Sequence, residues 1–96
     1  MNILVTYDIS TETKAGRRRL HKMAVICKSY GQRVQNSVFE CAVNDVQMEQ
    51  MRARLLDTIK KDEDNLRLYR LSEDRQRCIE SYGIDKYVDF DEPMVI

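Results

Sequence analysis

Several of the usual signatures of function are missing from this chain, and each absence removes a class of protein. Its three cysteines, Cys27, Cys41 and Cys78, are widely spaced, with no CxxC pair and no companion histidine cluster. Neither a disulfide framework nor a zinc site is encoded, and reduced, mostly buried thiols are expected. The single histidine, His21, has no serine, cysteine or second histidine at a meaningful spacing, so it is given no catalytic role. With three glycines there is no glycine-rich ligand loop, and the aromatic strand motif of sheet-face RNA binders is also missing. No apolar run approaches the ~20 residues of a membrane span and no leader with an apolar core is present, so a cytoplasmic protein with no membrane association is expected. Net charge is zero at pH 7, so the whole-chain balance carries no electrostatic footprint of a nucleic-acid binder.

What is present is unevenly distributed. Residues 1 to 36 hold seven basic and two acidic side chains, a net of +5, and residues 37 to 96 hold nine basic and fourteen acidic, a net of −5. The first helix is therefore cationic and the C-terminal region anionic. A chain of 96 residues makes one domain, able to hide roughly two-thirds of the surface its unfolded state exposes. Larger machinery has to come from a partner.

The elements alternate regularly. The β-branched and aromatic run Ile3-Leu4-Val5-Thr6-Tyr7-Asp8 predicts a strand over residues 2 to 8, and it ends on a carboxylate just as the chain leaves the sheet. Ser10, Thr11 and Thr13 offer N-cap oxygens for a helix whose Gly16, Leu20, Met23, Ala24 and Cys27 form one stripe, with Arg18 and Lys22 opposite. That helix stops at Tyr30-Gly31, where Gly31 can take the left-handed C-terminal position. Residues 32 to 43 read as a hairpin turning at Gln35-Asn36-Ser37. Asn44 and Gln47 form a capping-box pair for a second helix with a buried stripe of Met48, Met51, Leu55 and Ile59, and Lys60 and Lys61 suit its C-terminus. Asp62-Glu63-Asp64 reads as a solvated loop, and residues 65 to 71 as a fourth strand.

This βαββαβ order predicts an α+β, ferredoxin-like sandwich: an antiparallel sheet with both helices on one face. The core spans residues 1 to 71, and residues 72 to 96 form a C-terminal extension of the same domain. Whichever face of the first strand meets the helices, either Ile3, Val5 and Tyr7 or Leu4 and Thr6 face outward, so dimerisation through the open face is expected. The extension ends in the strand-like Met94-Val95-Ile96 after Pro93, a segment suited to a sheet edge, that of the partner subunit included.

The strand ending Tyr7-Asp8-Ile9, the arginine-rich first helix, and Gly31-x-Arg33-Val34-Gln35-x-Ser37-Val38-Phe39-Glu40 together resemble the CRISPR-associated protein two family over essentially the whole chain. The resemblance implies a ferredoxin-like homodimer that bridges two dimers of the integrase, CRISPR-associated protein one, and holds the DNA to be inserted. It also implies metal-dependent endonuclease activity on RNA or double-stranded DNA, with Asp8 as catalytic residue and ligand to Mg²⁺ or Mn²⁺. A lone Asp8 is a poor magnesium site, whereas an Asp8 pair across a two-fold axis is a credible one. Without the family motif, Asp8 would read as a strand-end cap of the following loop.

Arg17, Arg18, Arg19 and Arg33 are the candidate nucleic-acid contacts. Successive helix positions point about 100° apart, so the three helical arginines cannot form one patch. Arg17 flanks the buried stripe and can reach the strand ends near Asp8; Arg18 points away with Lys22. For Arg18 and Arg19 a solvated helix face competes evenly with phosphate contact. Arg33 matches the family's hairpin arginine. Phe39, near the dimer site by analogy, fits a core role equally well. Ser37 and Gln35 can orient phosphate or water, or simply stabilise the turn, and Tyr7 and Tyr69 pack. Two other readings compete: a small stand-alone ribonuclease of toxin type with the same fold, and a sheet-face RNA binder or small-molecule regulatory domain.

Overall fold

A computed structural model describes residues 1–71 and 79–84. In chain order the elements are β1 (Asn2–Asp8), α1 (Lys14–Lys28), β2 (Gly31–Gln35), β3 (Val38–Ala42), α2 (Asp45–Thr58), β4 (Asn65–Arg70) and β5 (Ile79–Gly83). The strands form one antiparallel sheet in the order β2-β3-β1-β4-β5, the ferredoxin-like arrangement with one strand added beyond β4. β1 opens the chain yet lies at the centre, paired on one side with β3 and on the other with β4.

Alternation along β1 decides which face the helices cover. Ile3, Val5 and Tyr7 are buried, with Leu4, Thr6 and Asp8 on the other face only partly so. Burying a large apolar side chain is worth about 2 kcal/mol, so the face with three such groups goes under the helices. Register partners extend that face to Phe39 and Cys41 on β3 and to Leu66 and Leu68 on β4. Met23, Ala24, Ile26 and Cys27 from α1 and Met48, Met51 and Leu55 from α2 close over it as one core. The open face thus carries Leu4 and Thr6 from β1.

Local chemistry fixes both helix starts. Thr13 Oγ1 accepts from the Gly16 amide at 3.0 Å. Asn44 and Gln47 complete their capping box, with bonds of 2.8 Å and 3.0 Å. Cys27 and Cys41 are free and buried, and burial first of all pushes their thiols up, to about 12 and about 11 respectively.

Two expectations are corrected. Gly31 does not terminate α1 in a left-handed conformation; α1 is capped by Ser29, and the only glycine with positive φ among the described residues is Gly83, at 94°. Gly31 instead opens β2 at a close approach to β3, where a Cβ would run into the Glu40 carbonyl oxygen. Gly31→Ala should therefore cost about 2 kcal/mol or more and lower Tm by roughly 10 °C, read by thermal unfolding. Second, the acidic loop is not solvated throughout, because Asp64 is fully buried. Beyond the expected elements, residues 79–83 of the extension add β5 to the outer edge of this chain's own β4. Met94-Val95-Ile96 lies outside the described residues.

Candidate functional site

The end of the sheet where β1 finishes gathers nearly all the residues singled out above, but divides them between its two faces. Asp8 is on the open face, in register with Asn65 of β4. Tyr7 and Phe39 point the other way, into the helix-covered core, so neither supports Asp8 directly.

Around Asp8 the open face is polar. Asn65 is buried, its Nδ2 donating to Ser81 Oγ at 3.2 Å, and its Oδ1 has no hydrogen-bond partner. Arg67, the register partner of Thr6, donates to the Tyr69 hydroxyl at 3.2 Å. Hard, oxygen-seeking ions such as Mg²⁺ are commonly held by one or two carboxylates and several waters. One carboxylate with an unpartnered amide oxygen beside it in the register is compatible with that chemistry. No group of three or more His, Cys, Asp or Glu side chains able to hold a metal occurs among the described residues.

The loop that follows Asp8 is held by a carboxylate that sequence reasoning left to solvent. Asp64 Oδ1 accepts from the Ser10 amide at 3.0 Å, and Oδ2 accepts from the Lys60 amide and from Arg19 Nε, both at 2.8 Å. A second Arg19 nitrogen donates to Glu63 at 3.0 Å. Burial pushes the Asp64 carboxyl up, but the Arg19 guanidinium and the two amides outweigh it and hold the group below the usual carboxylate range. This brace joins the exit from β1, the first turns of α1 and the α2–β4 connection. It also commits Arg19, whose donors face carboxylates within the fold rather than solvent. The clue in the sequence was an Asp directly before a strand with an arginine helix to pair with, a signal too common to stand alone.

On the helix side, Arg17, Arg33, His21, Ser37 and Tyr7 line one cleft between α1 and the β2–β3 hairpin. The hairpin tip is tied to β1 by the Tyr7 amide, which donates to the Ser37 carbonyl at 3.2 Å. Tyr7 stacks on Phe39 with centroids 6.2 Å apart, and the Arg33 guanidinium lies over the Phe39 ring at 5.2 Å from its centroid. Phe39 is thus a core residue that also seats Arg33. Arg17 donates to the Thr11 carbonyl at 3.2 Å. Burial pushes the Tyr7 phenol up to about 12, the neighbouring Cys27 adds to the rise, and the nearby Arg33 works against it. Arg33 nonetheless does not reach hydrogen-bond geometry, and the Tyr7 hydroxyl has no partner. Arg18 is exposed on α1, outside this cleft, and Gln35 is exposed at the end of β2.

A five-stranded antiparallel sheet under two helices, with a cationic cleft and a strand-end carboxylate at one end, defines a small ferredoxin-like α+β protein. The family model for CRISPR associated protein Cas2 matches residues 1–79, and the chain belongs to that family. It is 54% identical over 96 residues to "CRISPR-associated endoribonuclease Cas2 1" of Moorella thermoacetica, covering 100% of both chains. To "CRISPR-associated endonuclease Cas2" of Halalkalibacterium halodurans it is 40% identical over 95 residues, covering 99% of each. The crystal structure of Streptococcus pyogenes Cas2 at pH 6.5 matches with a TM-score of 0.71 and 49% identity, covering 80% of this chain and 93% of that one.

Proposed function

We propose that this chain is a homodimeric adaptor of CRISPR adaptation, working in the cytoplasm, that bridges dimers of the integrase, CRISPR-associated protein one, and binds double-stranded DNA for spacer acquisition. An accessory, weak Mg²⁺- or Mn²⁺-dependent phosphodiesterase activity at Asp8, on RNA or duplex DNA, accompanies it. Family membership supports the setting, and the endonuclease names of the relatives support the chemistry. The observation that carries the ranking is the balance of groups at the functional end: several cations and, among the described residues, one strand-end carboxylate, Asp8, with no group of three or more His, Cys, Asp or Glu able to hold a metal.

The geometry suits such a role. Arg17 and Arg33 offer charge to phosphates and make no provision for reading base edges, so binding is insensitive to sequence. Asp8 would hold the metal ion, together with Asp8 of a second copy where the open faces meet. When bound, the ion supplies a water of lowered pKa and positive charge against the phosphodiester. The chain's own contribution is to set the Asp8 backbone through the Ser10–Asp64 bond and to keep Arg33 seated on Phe39. The relatives' endoribonuclease names favour, as a second reading, a stand-alone ribonuclease of toxin type. Metal-dependent cleavage of single-stranded RNA without any association with the integrase would select it.

Two measurements test the adaptor reading. Sedimentation should give a dimer at micromolar concentration that joins the integrase, and a monomer that does not join it would end the proposal. Fluorescence anisotropy with duplexes of unrelated sequence should give equal affinities falling steeply with salt. Arg17→Gln and Arg33→Gln should each reduce the log-log salt slope by up to about 0.9. An unchanged slope in both variants would mean that the DNA lies elsewhere.

A further inference from the structure

We infer that Asn65 is a further protein ligand for the divalent cation at Asp8, presenting its amide oxygen Oδ1 to the ion beside the Asp8 carboxylate. This role rests on the metal site proposed at Asp8 and supplies a partner that a lone carboxylate lacks. Asn65 is 1% exposed, and its Oδ1 is buried with no hydrogen-bond partner. Native structures seldom leave a buried polar atom in that condition, and an unmet ion is one reason they do.

An amide oxygen only accepts, so what it lacks is a donor or a cation. The register gives the side from which that partner comes. β4 lies between β1 and β5, and Asn65 is paired with Asp8 on one side and with Gly83 on the other. Gly83 has no side chain to offer, and at φ 94° a Cβ there would run into the Asp64 carbonyl oxygen. Among the described residues, Asp8 is therefore the side chain directly opposite Asn65. The amide nitrogen is engaged toward β5, donating to Ser81 Oγ at 3.2 Å, which leaves the oxygen to the β1 side. Side chains directly opposite in an antiparallel pair have Cβ atoms about 5 Å apart. One oxygen from each can thus meet on a single ion at ligand distances of about 2.1 Å. A carboxylate and an amide oxygen, both acceptors, cannot satisfy each other; a cation between them serves both. The neutral oxygen adds coordination without charge, and Arg67, two residues along the same face of β4, adds a positive one. One chain alone therefore holds the ion weakly.

The full-length protein is titrated with Mn²⁺, the free ion being counted by electron paramagnetic resonance, and Mg²⁺ is then added in competition. The side-chain Nδ2–H₂ resonances of Asn65 are followed by NMR at substoichiometric Mn²⁺. The wild type should bind Mn²⁺ that Mg²⁺ displaces, and the Asn65 resonances should broaden before those of the other side-chain amides. Asn65→Leu is near-isosteric and lacks the oxygen, so Mn²⁺ binding should weaken about tenfold or more. Asn65→Asp places a charge on the same oxygen and should tighten it about tenfold, because affinity at oxygen sites follows ligand charge.

If Asn65→Leu melts early, the broadening in the wild type and the affinity of Asn65→Asp decide the matter. Equal Mn²⁺ affinity in the wild type and both variants, or Asn65 resonances that stay sharp while the ion is bound, overturns the assignment and leaves the buried oxygen to a water. The metal site at Asp8 then still stands if Asp8→Asn abolishes binding. Binding that survives Asp8→Asn but falls in Asn65→Leu overturns the role of Asp8 alone and keeps Asn65 as a ligand. No binding by the wild type at millimolar Mn²⁺ overturns both.

Discussion

Asp8→Asn should lower metal-dependent cleavage by roughly 100-fold or more in kcat/KM, a loss of about 3 kcal/mol of transition-state stabilisation, with the dimer and its affinity for duplex DNA intact. The substitution keeps side-chain size and removes the negative charge that a hard divalent ion requires. Asp8 is on the open face at the strand end, away from the core. Arg17 and Arg33 of the cleft sit on the other face and should not register the change. Two assays on one preparation separate the roles: cleavage of RNA and duplex DNA with Mg²⁺ or Mn²⁺, and spacer integration with the integrase present. Integration that survives without cleavage leaves the carboxylate an accessory activity. Integration that fails, although the variant dimerises and binds the integrase, makes the metal site central and reverses the ranking offered above.

Asp64→Ala should cost about 3 kcal/mol at pH 7, more than any surface substitution in the chain. It strands the partly buried Arg19 and two backbone amides, those of Ser10 and Lys60, at once. Asp64→Asn should cost less, because an amide oxygen can still accept from one amide, and it isolates the charge. The folded-state pKa of Asp64 is depressed, so its contribution is complete above the ordinary aspartate range near ~4 and is lost as pH falls through the depressed value. Urea unfolding from neutral to acid pH should therefore show wild type and Asp64→Asn converging as the medium becomes acidic. Glu80, held low by Arg52, Tyr82 and Arg70 against its own burial, titrates in the same direction in both proteins and cancels in the comparison. A constant gap at all pH values would assign the effect to packing instead of charge.

Much of the fold is legible from local chemistry. Thr13 and Asn44 cap where an unpaired backbone needs an oxygen, and the stripe from Gly16 to Cys27 faces the sheet because its spacing leaves no other option. The family resemblance drawn from the strand ends and the hairpin holds over the chain. What escaped the sequence depends on contacts between distant segments. Asp64 sits in an acidic run that resembles a solvated loop until Arg19, 45 positions away, is brought to it. Gly31 belongs equally to a helix end or a crowded strand pair, and only the approach of Glu40 decides. Alternation placed Phe39 and Glu40 on opposite faces without saying which was inward. The same ambiguity left open which of Tyr7 and Asp8, adjacent in sequence and so on opposite faces, meets the helices. The strand at residues 79–83 was hidden by charge, because Glu80 is paired with Arg52 and Arg70, residues distant in sequence or on a neighbouring strand.

The central place of β1 has a consequence for how the molecule comes into being. β1 is the first strand to be synthesised, but its flanking strands begin at Val38 and Asn65. The β2–β3 hairpin and α1 can form from near neighbours, whereas β1 must wait for loops of growing length to close around it. Until β4 arrives, the apolar strand that carries Asp8 has one unpaired edge, and the loop behind it lacks the carboxylate that fixes it. Order at Asp8 is therefore a late event in folding. A chain interrupted before residue 64 can build the hairpin, but it cannot build the brace behind the carboxylate.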